Sequence, residues 1–121
     1  MNDLQLGVVE GRFADIIWEH QPISTTELVR LCAEGLSWKK STTYTVLKRL
    51  CDKGIFQNDN GTVRALLSKE ELQAMQSERF VAETFQGSLP AFLAAFTARK
   101  PLTAKELDCL RKMLESAAEE H

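Results

Sequence analysis

The stretch KKSTTYTVLKRLCDKG, residues 39–54, decides how the rest of this chain is read. Its apolar residues recur with a helical period, yet its first half is crowded with hydroxyls and both flanks carry positive charge. Threonine is a mediocre helix former because branching at Cβ stiffens χ1, so a helix that only had to be solvated would use Glu, Lys or Ala. On a wheel of about 100° per residue, Thr43, Val46, Leu47 and Leu50 take the i, i+3, i+4, i+7 spacing of a buried stripe. Ser41, Thr42, Tyr44, Thr45 and Lys48 point the other way, flanked by Arg49 and Lys53. Either this is a short polar reading surface or it is an ordinary solvated face, and the neighbouring elements decide between the two.

Residues 8–20 set Val9, Phe13, Ile16 and Ile17 on one face, with Glu10, Asp15 and Glu19 on the solvated side, and Pro22 closes this first helix. Ser24-Thr-Thr-Glu27 has capping-box spacing, in which the Ser oxygen takes an orphan N–H and Glu27 reaches back. A second helix therefore starts there, carries Leu28, Leu31 and Cys32 inward and is expected to stop at Gly35. Only residues 36–38 separate that stop from the opening stretch, so the two helices must cross at an angle as a helix-turn-helix. Gly54 ends the third helix, and IFQNDNGTVRALL then gives two short extended runs around Asn60-Gly61, a strong hairpin signal. Three helices and a two-stranded wing make residues 1–68 a winged helix-turn-helix domain. In that setting the outward face of the third helix enters a major groove.

Residues 69–121 follow a different pattern. Ser68 opens a helix with a capping box to Glu71, the segment SLPAFLAAF follows, and Thr103 caps toward Glu106 ahead of a last helix. Leu89, Phe92, Leu93, Phe96, Leu107, Leu110 and Leu114 are more large apolar residues than so short a piece can bury internally. The expected reading is a helical dimerisation module whose interface those residues form. The alternative is that the module folds back on its own winged domain. The expected fold class is mainly α with a small β-wing.

Composition bounds the function. The chain has 121 residues, 44% of them hydrophobic, and a net charge of −2. Its length suits one domain or a small domain with an appendage. No apolar run approaches the roughly 20 residues needed to span a bilayer, and the first residues lack a signal pattern, so a cytoplasmic location is expected. Cys32, Cys51 and Cys109 lie far apart on or beside apolar stripes and read as buried reduced thiols. Neither His20 nor His121 has a second ligand at metal spacing, so no metal and no cofactor is expected. No Ser/His/Asp set, phosphate loop or acid–base pair supports an enzyme or a small-molecule substrate. The acidic balance argues mildly against nucleic acid, but Lys39, Lys40, Lys48, Arg49 and Lys53 face the single acid Asp52 across residues 38–53. Positive charge is thus focused on one helix. The competing reading is a winged-helix protein-interaction module that does not bind DNA specifically.

ADIIWEHQPISTTEL, STTYTVLKRLCDKGIF, FQGSLPAFLAAF and LTAKELDCLRKMLE, in this order and spacing, resemble the penicillinase repressor family, the BlaI/MecI group of bacterial repressors controlling β-lactamase and methicillin-resistance genes. The resemblance covers nearly the whole chain. It implies a homodimer whose winged domains bind the half-sites of an inverted repeat in double-stranded operator DNA and block transcription. Base contacts carry over to Ser41, Thr42, Tyr44 and Thr45, with Tyr44 standing where better-known members have a long basic side chain. Lys39, Lys40, Lys48 and Arg49 suit phosphates, as does Arg64 on the wing, whose tip NDNG is acidic. The resemblance also implies relief by a membrane-bound sensor metalloprotease that cuts the dimerisation module. The family's cut precedes a Phe, which maps it to the bond between Ala95 and Phe96, although Ala95 replaces the usual Asn.

Overall fold

The computed structural model describes residues 4–119. In order they form α1 (Val8–His20), β1 (Ile23–Ser24), α2 (Thr25–Leu36), α3 (Lys40–Asp52), β2 (Phe56–Asp59), β3 (Thr62–Ala65), α4 (Lys69–Thr84), α5 (Leu89–Arg99) and α6 (Ala104–Glu119). This is the expected class: a winged helix-turn-helix with a small antiparallel sheet, followed by a helical module. The chain divides into two compact units, Met1–Glu78 and Arg79–His121, so the first turns of α4 belong to the winged unit.

The first unit owns a continuous core. Phe13 and Ile17 of α1, Leu28 and Cys32 of α2, and Val46, Leu47 and Leu50 of α3 are buried together with Ile55, Phe56, Val63 and Leu72. Removing each large side chain from water contributes about 1.5–3 kcal/mol. Two indoles close the edges. Trp38 stacks on Phe13 at 5.3 Å between ring centroids, and Trp18 leans on Phe56 while its Nε1–H donates to the Leu67 carbonyl at 3.0 Å.

The wing has three strands rather than the expected two. Ile23 and Ser24 pair antiparallel with Val63 and Thr62, giving the order β1-β3-β2. A two-residue strand shows no alternation to read, yet it covers the β3 edge that a bare hairpin would leave unpaired. Asn60 and Gly61 both take positive φ, 54° and 90°, as a tight two-residue hairpin turn needs.

Other expectations change in detail. Helix α2 does not stop at Gly35. It runs to Leu36, which packs half-buried against the core, and Ser37 at φ 57° takes the left-handed cap. Ser24 caps α2 by accepting the Glu27 N–H at 3.1 Å, but the Glu27 carboxylate turns to Arg30 instead of reaching back. Val9 is 48% exposed, because the first turn of α1 projects past the packed residues. Cys109 is exposed, unlike buried Cys32 and half-buried Cys51.

The second unit has no comparable core: among described residues 79–118 not one is buried. Phe80, Phe85 and Phe92 form a triangle of edge-on rings 5.6–6.0 Å apart, with Phe96 tilted 6.1 Å from Phe92. Ser68–Glu71 and Thr103–Glu106 each complete a reciprocal capping box at α4 and α6.

The two faces of α3 should separate in stability measurements. Leu50→Ala is expected to cost about 2–5 kcal/mol, whereas Thr42→Ala on the opposite face should stay within about 0.5 kcal/mol, both read by chemical denaturation.

Candidate nucleic-acid interface

Helix α3 is held by its apolar stripe and by one buried polar side chain. Thr43 is only 1% exposed, and its hydroxyl donates to the Lys39 carbonyl at 3.2 Å, which removes the cost of an unpaired buried group. Ser41, Thr42, Tyr44, Thr45, Lys48 and Arg49 all lie exposed on the remaining surface. The structure thus brings the four expected base-reading residues together on one face.

Their chemistry differs. The Thr45 hydroxyl donates to the Ser41 carbonyl at 2.9 Å, so its proton is committed and a methyl group and an acceptor oxygen are left to a partner. The Thr42 hydroxyl has no protein partner among the described residues, leaving a donor, an acceptor and a methyl group. Lys40 Nζ lies 6.0 Å from the Tyr44 ring centroid, at the outer limit of a cation–π contact.

The cations divide by how firmly they are held. Lys39 and Lys40 at the start of α3 are exposed. Lys48 Nζ sits 3.1 Å from Asp52 Oδ2, but its side chain is 77% exposed, and such a pair is worth so little that another anion can replace the carboxylate. Arg49 is tied to α1: its Nη1 donates to Glu10 Oε2 at 2.9 Å, and Glu10 is only 22% exposed. Partial burial pushes the Glu10 carboxyl up, but hydrogen bonds from Arg49 and the Gly7 N–H, with the charge of Lys53, outweigh it and hold its pKa below the ordinary 4.5. Glu10 read as solvated, but a partner 39 residues away leaves no local pattern. A phosphate contact by Arg49 must therefore compete with Glu10.

On the wing, Arg64 is exposed opposite Gln57, and the turn is fixed where the Thr25 N–H donates to the Gly61 carbonyl at 2.9 Å. The tip carries Asp59 on an exposed surface, so the wing offers one cation near one anion.

In the second unit Leu89, Leu93, Leu107, Leu110 and Leu114 line one apolar groove of about 680 Å³ between α5 and α6. Leu114 is 61% exposed. Phe92 and Phe96 belong instead to the aromatic cluster, so the seven expected interface residues form two patches. Ala95 and Phe96 are exposed inside α5, one turn before its end, where the Phe96 carbonyl accepts from the Lys100 N–H at 3.0 Å. Among the described residues no three His, Cys, Asp or Glu side chains gather to hold a metal, and no helix is long and apolar enough to cross a membrane.

The sequence model of the penicillinase repressor family matches residues 6–116. The chain is 24% identical over 115 residues to the penicillinase repressor of Bacillus licheniformis, covering 92% of this chain and 90% of that protein. It is 22% identical over 114 residues to the methicillin resistance regulatory protein MecI of Staphylococcus aureus, covering 91% and 93%.

The Glu10 tie to α3 has a pH signature. A depressed carboxyl contributes stability above its ordinary pKa of 4.5 and loses it as pH falls through the lowered value. Wild type should melt above Glu10→Gln at neutral pH, by no more than about 1 kcal/mol because Arg49 is half exposed, and the two curves should converge in acid.

Proposed function

Because this chain belongs to the penicillinase repressor family, we propose that it is a homodimeric repressor whose winged units each take one half-site of an inverted-repeat operator. The observation that carries this reading is the division of α3: its buried stripe leaves Ser41, Thr42, Tyr44 and Thr45 side by side on the exposed face, with lysines at its start. A helix of this width fits a major groove, where Thr42 offers hydrogen bonds to base edges and both threonines offer methyl groups to thymine. Lys39, Lys40 and Lys48 take phosphates, with Arg64 from the wing and Arg49 when Glu10 releases it. The repressor acts in the cytoplasm, where its operator lies.

Dimerisation is supported by the second unit's own deficit. A unit with no buried side chain among its described residues, bearing an apolar groove and a phenylalanine cluster, completes its core by adding another such unit, and a second copy is the symmetric way to do so. Relief of repression follows when a membrane sensor metalloprotease cuts between Ala95 and Phe96, severing α6 and its leucines from α5. A protease takes an extended strand, so the last turn of α5 must first open. Mass spectrometry of the chain from induced cells should find that bond cut; an intact chain released from DNA contradicts this route.

Thr42→Ala and Thr45→Ala should each weaken binding to a selected operator by about 1–3 kcal/mol with little effect on random duplex. Log K should fall with log salt by about 0.9 per phosphate contacted, with Lys48→Ala reducing that slope by about one unit. A salt-independent affinity would instead favour docking of a protein on α3.

Leu110→Asp or Leu114→Asp should yield monomers in sedimentation, with operator affinity lowered by two or more orders of magnitude as the half-sites uncouple. A variant that stays dimeric would move the interface elsewhere.

A further inference from the structure

The segment before α1 is bound to two other elements at once. Leu4 is buried at 8% exposure, and its carbonyl accepts from Gln76 Nε2 of α4 at 2.7 Å, across 72 residues. The neighbouring Gln5 carbonyl accepts from Lys53 Nζ, at the cap of α3, at 3.4 Å. Gly7 then donates its N–H to Glu10 Oε1 at 3.3 Å, and the other oxygen of that carboxylate holds Arg49 in the last turn of α3. Residues 4–7 therefore lie stitched to α4 on one side and to the end of the reading helix on the other.

Where these stitches fall along α4 matters. The helix is anchored at its start by Leu72 in the core and by Lys69, whose Nζ lies 2.9 Å from Asp15 of α1. One anchored turn fixes a position but leaves a helix free to pivot. Gln76 lies seven residues beyond Lys69, about 10 Å along the axis, and a second anchor at that distance fixes direction. Past Gln76 the helix continues unbroken to Thr84.

We propose that residues 4–7 are a strap that sets the angle between α3 and α4, making Leu4 and Gln76 positioning residues for binding both half-sites at once. This rests on the dimeric repressor reading above. Neither residue lies on the exposed face of α3, so loosening the strap leaves each reading helix competent. It relaxes the spacing that the pair of helices presents, and bivalent binding depends steeply on such spacing.

The test uses the full chain with Gln76→Leu and, separately, Leu4→Ala. Each is titrated against a single half-site duplex and against inverted repeats whose half-site separation changes one base pair at a time. Half-site affinity should stay within about twofold of wild type, while affinity for the best-spaced repeat falls about tenfold or more and the spacing optimum broadens. Equal loss on half-site and full site would show that the strap only supports the fold, and an unchanged spacing profile would remove it from positioning; either result overturns the proposal. A wild-type protein with no preference for an inverted repeat over random duplex overturns the repressor reading and the strap with it.

Discussion

Thr43, Val46, Leu47 and Leu50 leave water together, and because they share one stripe of α3, the opposite stripe is left facing out. That single burial sets the orientation of the helix and hence which side chains a partner can meet. Two threonines two positions apart show how sharply it divides the helix. Thr43 and Thr45 each donate a hydroxyl to the carbonyl four residues back, yet Thr43 spends its methyl on the core while Thr45 keeps its methyl at the surface. A β-branched residue is a weak choice for helix stability alone. Here the first threonine is buried without an orphaned proton, and the second presents a compact apolar tip at the exposed face.

Apolar burial is distributed unevenly along the chain. The winged unit closes around its own core, with Trp18 and Trp38 at its rim, whereas the second unit leaves its leucines and phenylalanines half-buried or exposed. A piece this small has too much surface for its volume to bury them alone. The first unit therefore carries the buried core of the described chain, while the second leaves apolar surface in contact with water.

Electrostatics refine which charges are usable. A net charge of −2 disguises a basic helix, and two of its cations are already engaged, Lys48 by Asp52 of the same helix and Arg49 by Glu10 of α1. Exposure separates the two pairs: the one in open solvent exchanges freely, while the half-buried one braces α1 against α3. Charge counted along a sequence therefore overstates what a phosphate backbone would meet.

Much of this architecture was legible without coordinates. The limits of α1, the capping boxes at Ser68 and Thr103, the Asn60-Gly61 turn and the two faces of α3 rest on residues within a few positions of one another, where dihedral preference and helical period act directly. The four candidate reading residues belong to that class, because a helix that buries one stripe must expose the other. Strand β1, the extension of α2 to Leu36, the exposure of Val9 and Cys109, the Glu10–Arg49 tie and the hydrogen bond from Gln76 to Leu4 do not. Each depends on partners supplied from elsewhere in the fold or on where an element meets the core, and local periodicity carries no record of either. Local chemistry along the chain specifies the helices, the hairpin and the faces they bury, whereas which charges are occupied, which strand edge is covered and how α3 is braced follow from contacts between segments tens of residues apart.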